Sequence, residues 1–135
     1  MSIPTQEDAQ LLVELFKLRL DPVLLEAETW FIGQFVPASW EELKVKYPAS
    51  SREWHMLNLI LGYWEMLGAL IDHNLLSEDL VFDAMESIDA TWSKVQEWLP
   101  SARIEMGSDL WENIELLVTR QRRWRIVRSP KINEI

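Results

Sequence analysis

Four side chains suited to acid–base or metal chemistry, His55, Glu65, Asp72 and His73, lie in one stretch of the chain. On a helical wheel they fall within about 100° of one another. Carboxylates and imidazoles on a common face are the raw material of a metal centre or of general acid–base catalysis. The rise per residue decides against such a centre on a single helix, because His55 and His73 would stand about 27 Å apart and Glu65 and Asp72 about 10 Å apart. Ligands from other helices would be needed, yet the chain has two histidines, no Glu-x-x-His spacing and no HExxH. Nor is there a GxSxG elbow, and the glycines at 33, 62, 68 and 107 are too scattered for a phosphate loop. No catalytic, cofactor-binding or metal-ligating residue is assigned, and no cofactor is expected.

Glu65 stands out because its surroundings are apolar. A carboxylate midway along such a helix must reach water, pair, or keep its proton. Arg103, alone between Lys94 and Arg120 in an acidic neighbourhood, is the expected partner, and the pair Glu65–Arg103 is read as structural. A second candidate is an interaction patch of Arg120, Arg122, Arg123, Trp124, Arg125 and Arg128. Arginine interleaved with tryptophan on a helix end could bind nucleic acid or an anionic surface. It could equally complement the helix dipole and answer the acidic body.

Charge placement favours the second use. The net charge is −9, and the basic residues gather in the last twenty positions, leaving an acidic body with a basic tail. Phosphate recognition needs a broad basic surface, so composition argues against nucleic acid as the main partner. The absence of cysteine removes disulfides, thiolate metal sites and cysteine nucleophiles, and suits the cytoplasm. The opening MSIPTQED has neither the basic flank nor the apolar core of a signal peptide. The most apolar window, 57–71, is interrupted by Glu65 and too short to span a bilayer, so no transmembrane segment is expected.

The element that must position Glu65 is LNLILGYWEMLGALIDHNLL, Leu57 to Leu76. Asn58, Gly62, Glu65, Ala69 and Asp72 occupy an arc of about 80°, and nearly everything else is apolar. Such a helix is central, with one narrow seam facing water or a tightly packed partner. Before it, Thr5 caps a first helix, Asp21-Pro22 starts a second that Pro37 ends, and Ser39 with Glu42 opens a short third closed by Pro48. Ser50 with Glu53 opens the central helix, and His73-Asn74 closes it with a left-handed cap. Ser77 starts another short helix, Asp89 caps ATWSKVQEWL until Pro100, and Gly107-Ser108-Asp109 opens the last, with Leu110, Ile114, Leu117, Gln121 and Trp124 on one stripe. Gly62 and Gly68 are read as points where another helix crosses closely. The fold class is all-α, a single-domain bundle of about six to seven helices around a buried helix at about 51–73. Residues 1–128 form the domain and 129–135 a C-terminal tail.

Tyr63, Trp64, Glu65, Leu67, Gly68, Leu70, Ile71, Asn74-Leu75, Ser77 to Leu80, Trp92, Leu99-Pro100, Arg103 and Trp111 to Leu117 carry a resemblance. Over roughly residues 54–118 the chain resembles a bacterial family of small all-helical domains of unknown function. The resemblance implies an all-helical fold and brings no activity. Members of that family often place a membrane helix ahead of the domain, whereas this chain starts with an amphipathic segment.

The expected function is a non-enzymatic helical protein–protein interaction or scaffold domain whose partner is another protein or a second copy. The alternative is a regulatory module binding nucleic acid through the basic C-terminal helix. A second alternative is an enzyme with a site assembled around Glu65. Eight tryptophans serve either a core or an interface, and composition does not divide them.

Overall fold

A computed structural model describes residues 3–36 and 39–132. It contains α1 (Gln6–Arg19), α2 (Pro22–Gly33), α3 (Trp40–Lys46), α4 (Arg52–Asp72), α5 (Glu78–Ala84), α6 (Asp89–Ser93), α7 (Leu99–Met106) and α8 (Glu112–Val127). No strand occurs among the described residues, so the fold is all-α. The central helix α4 packs between α2 and α8. The remaining helices fill in around this frame: α1 lies on α2 and α5, α3 on α7, and α5 and α6 on α8. Among the described residues no helix is long and apolar enough to cross a membrane.

Local chemistry explains most of the helix starts. Thr5 accepts a hydrogen bond from the Asp8 amide while the Asp8 carboxylate accepts from the Thr5 amide, a reciprocal capping box. Asp21 accepts from the Val23 amide with Pro22 at the first helical position, and Ser39 and Ser77 cap α3 and α5 in the same manner. Asn74 adopts φ 57°, the left-handed turn expected after α4.

Four boundaries differ from expectation. Ser51, one residue after Ser50, caps α4 by accepting from the Trp54 amide. Pro100 does not end a helix but sits in the first turn of α7, where a missing N–H costs no hydrogen bond, so 89–106 holds two short helices and the described residues hold eight in all. Asp89 lies inside α6 rather than capping it. The last helix starts at Glu112, not at Gly107-Ser108-Asp109. Pro37, expected to end α2, lies outside the described residues, as do residues 133–135 of the expected tail.

One contiguous core runs from Leu12 and Leu15 on α1 to Trp124 on α8. Six of the eight tryptophans are buried, at positions 30, 40, 64, 92, 98 and 124, so the tryptophan excess serves the core. Trp30, Phe31, Phe35 and Tyr47 cluster at centroid separations of 5.3 to 5.9 Å, and Trp40 stacks on Trp98 at 5.7 Å.

Candidate functional site

The junction between α7 and α8 shows where the central carboxylate goes. The chain turns at Gly107, with φ 131°, and enters α8 through Trp111 in a left-handed conformation, φ 55°. Trp111 offers no side-chain cap, so the first amides of α8 need an outside acceptor. Glu65 supplies it from α4. Its Oε1 accepts from the Ile114 amide at 3.0 Å and its Oε2 from the Asn113 side-chain amide at 3.1 Å. A carboxylate borrowed from a neighbouring helix thus does the work of an N-cap and faces the positive end of the helix dipole.

This arrangement corrects the expected Glu65–Arg103 pair. Arg103, in the last turn of α7, donates from Nε to the Leu110 carbonyl at 2.9 Å and pairs through Nη1 with Glu115 at 2.8 Å. Both charges hold the same junction, but Arg103 holds its carbonyl side and Glu65 its amide side. Glu115, in the first turn of α8, is the nearer carboxylate for a cation arriving from α7.

The two readings of Glu65 give opposite results for one substitution. Glu65→Gln keeps an acceptor for the Ile114 amide and is expected to cost under about 1 kcal/mol, whereas Glu65→Leu removes the cap and is expected to cost about 2 kcal/mol. A buried ion pair would instead make Glu65→Gln cost about 3 kcal/mol or more, because an arginine would be stranded. Urea titration of the two variants distinguishes the cases, and equal losses would reject the capping role.

His55 and His73 are exposed, and Asp72 is tied to Arg120 at 3.4 Å. Among the described residues no three His, Asp or Glu side chains lie close enough together to hold a metal ion.

The basic C-terminal helix lies against the acidic body of its own chain. Arg120 bridges Asp72 at 3.4 Å and Glu78 at 3.5 Å, Arg122 pairs with Asp89 at 2.7 Å, and Lys131 beyond the helix pairs with Asp83 at 2.5 Å. The Arg122 hydrogen bond holds the Asp89 carboxyl below the usual aspartate range. Trp124, expected as part of a surface patch, is buried, donates from Nε1 to Asp79 at 2.9 Å and meets Phe82 edge-on. It cannot serve as a stacking platform. The Arg128 guanidinium stands 4.8 Å from the centroid of the Trp124 ring, while Arg123 and Arg125 are exposed.

Four polar anchors escape a reading of the sequence. Lys94 donates from Nζ to the carbonyls of Phe31, Ile32 and Phe35 at 2.7, 3.1 and 3.0 Å, closing the C-terminal end of α2. Burial pushes this ammonium below the ordinary lysine value. The available signal was that the last turn of α2 carries no basic residue of its own. Arg19 meets Glu86 at 2.7 Å and Glu28 at 3.2 Å, with Trp64 beneath it at 5.4 Å. Gln121, buried on the α8 stripe, accepts from the Ile88 amide at 2.9 Å and donates to the Glu86 carbonyl at 3.1 Å. Tyr63 donates to the Leu15 carbonyl at 2.9 Å, and burial pushes its hydroxyl up to about 12.

The water-facing side of α4 is not the expected seam. Glu65 and its neighbour Gly68 turn toward α8, where a Cβ on Gly68 would meet the Asn113 carbonyl oxygen at 2.3 Å. Gly62 is the opposite case, since a Cβ there meets nothing within 4 Å among the described residues, and the reading of Gly62 as a crossing point within the chain is corrected. Leu59 and Met66 flank it, 42% and 38% exposed. The outer stripe of His55, Leu59, Gly62, Met66, Ala69 and His73, about 27 Å long, carries no Asp, Glu, Lys or Arg.

A model of the DUF4760 family, described as a domain of unknown function, matches residues 4–124. No curated protein and no solved structure matches the chain.

Proposed function

The chain belongs to the DUF4760 family, and from that premise we propose that it is a non-enzymatic helical interaction domain that associates with a second copy of itself through the outer face of α4. The observation that carries this reading is Gly62. A glycine inside a helix costs about 0.5–1 kcal/mol relative to alanine, and none of the described residues uses the space it leaves. Between Leu59 and Met66 that space suits the close approach of another helix.

In an antiparallel crossing with its two-fold axis at Gly62, Leu59 of one copy would lie against Met66 of the other, because both fall on the same side of Gly62 around the helix and at similar distances from it. The reading includes a cytoplasmic setting, supported by the lack of cysteine.

Nucleic-acid binding through α8 has less support, since Arg120 and Arg122 are engaged with Asp72, Glu78 and Asp89 and Trp124 is buried. An enzyme built around Glu65 has less again, as both carboxylate oxygens are committed to α8.

The test is the mass in solution. Sedimentation equilibrium is expected to give twice 15.9 kDa for the wild-type chain at high protein concentration, and 15.9 kDa for Leu59→Glu with its helical content unchanged. A wild-type protein that stays monomeric, or a Leu59→Glu variant that stays dimeric, would reject the interface.

A further inference from the structure

Away from α4's outer face and from the α7–α8 junction, a cleft of about 310 Å³ opens where α3 meets the end of α7. Its walls are aromatic and apolar, chiefly Trp40, Tyr47, Trp54 and Met106, and its charged members are Lys44 and Glu105. The volume is about that of ten liquid waters and falls at the lower end of the range for small-molecule sites.

The chain's own cations show what these walls accept. The Lys44 ammonium stands 5.5 Å from the centroid of the Trp40 ring, 2.6 Å from Glu105 and 3.5 Å from Glu41. Two residues on, the Lys46 ammonium stands 5.4 Å from the centroid of the Tyr47 ring. Lys46 does not line the cleft, so within it the Trp40 ring is the one that already faces an ammonium, an arrangement that the ring quadrupole favours.

We propose that this cleft is a binding site for an organic ammonium, a positively charged amine carrying an apolar group of phenyl or short branched-alkyl size. The apolar group fills the space between Trp54, Tyr47 and Met106, and the ammonium takes the place of Lys44 beside Glu105. Lys44 is a tethered competitor on a flexible stem, 34% exposed and free to swing to Glu41 or to water. A cation is favoured over an anion because Glu105 in the cleft and Glu41 beside it already hold the Lys44 ammonium there and the whole chain is acidic, so the field attracts positive ligands. The site is independent of self-association through α4.

The experiment follows the indole N–H resonances of Trp40 and Trp54 in the full chain, titrated with benzyltrimethylammonium and, as controls, benzyl alcohol and phenylacetate. Saturable shifts of both indoles are expected with the ammonium, at lower concentration than with either control. Glu105→Gln is expected to weaken the ammonium about fivefold and Lys44→Met to tighten it about as much, since each removes or frees one exposed ion-pair interaction. Both positions lie at the mouth of the cleft, and unchanged circular dichroism will show that the fold is kept. Tighter binding of phenylacetate overturns the proposal. So does the absence of saturable shifts in both the wild-type and Lys44→Met proteins, or a Glu105→Gln variant that binds the ammonium as well as wild type.

Discussion

Gly68→Ala is expected to destabilise the protein by about 3 kcal/mol, against the usual direction for a glycine inside a helix. Elsewhere in a helix the change stabilises by about 0.5–1 kcal/mol, because alanine restricts the unfolded chain and glycine does not. Here the new Cβ would sit 2.3 Å from the Asn113 carbonyl oxygen and 2.9 Å from its carbon. Those are backbone atoms in the first turn of α8, so no side-chain rotation relieves the contact. The turn itself must move, and moving it stretches the bonds from Glu65 to Asn113 and Ile114 that cap the same helix. Steric displacement and lost capping therefore act together and outweigh the entropic gain. For a chain of this size the loss corresponds to a melting temperature lower by about 10 °C. Gly62→Ala, measured in dilute monomer, is the contrast and should be neutral or slightly stabilising. A Gly68→Ala protein as stable as wild type would show that α8 does not rest on this point.

Lys94→Met is the second large effect, expected at about 3 kcal/mol. Methionine keeps most of the apolar stem and removes only the ammonium, so the loss reports the three hydrogen bonds to Phe31, Ile32 and Phe35. Hydrogen bonds from a charged donor contribute about 1.5–3 kcal/mol each, and the exposed end of α2 lets water recover part of the sum. Three carbonyls converging on one nitrogen match the three donors of an ammonium, whereas a planar guanidinium directs its donors outward in a fork. Lys94→Arg should therefore rescue little. Thermal melts of both variants check this, together with amide exchange along α2, which should quicken from Trp30 onward in Lys94→Met. Full stability in Lys94→Met would mean that the end of α2 is held by packing alone.

Both results depend on contacts between residues far apart in the chain, and this separates what could be read from the sequence from what could not. Thr5, Asp21 with Pro22, Ser39, Ser77 and Asn74 were legible because a cap is a contact within a few residues, written in the chain as nearby letters. The centrality of α4 was legible too, since a helix apolar around most of its girth has to be surrounded. Its resemblance over 54–118 proved part of a longer family match over residues 4–124. Glu65 and Arg103 could be singled out as charges requiring partners, but not which partners. That choice depended on the amides of α8 arriving at Glu65 and on Glu115 arriving at Arg103.

Gly62 and Gly68 make the same point within one helix. As letters they are alike, and both fall in an apolar context. Only the packing of α8 puts a carbonyl oxygen 2.3 Å from where one Cβ would be and leaves the other position open. Pro100 likewise has one meaning as a terminator and another as the second residue of α7, and the turn that precedes it decides between them. The sequence by itself determined the all-α class, the central helix and most of the local caps, because propensity and capping act over a single turn. Tertiary structure alone decided which charge closes which helix end and which glycine is crowded, because those depend on how the faces of separate helices meet.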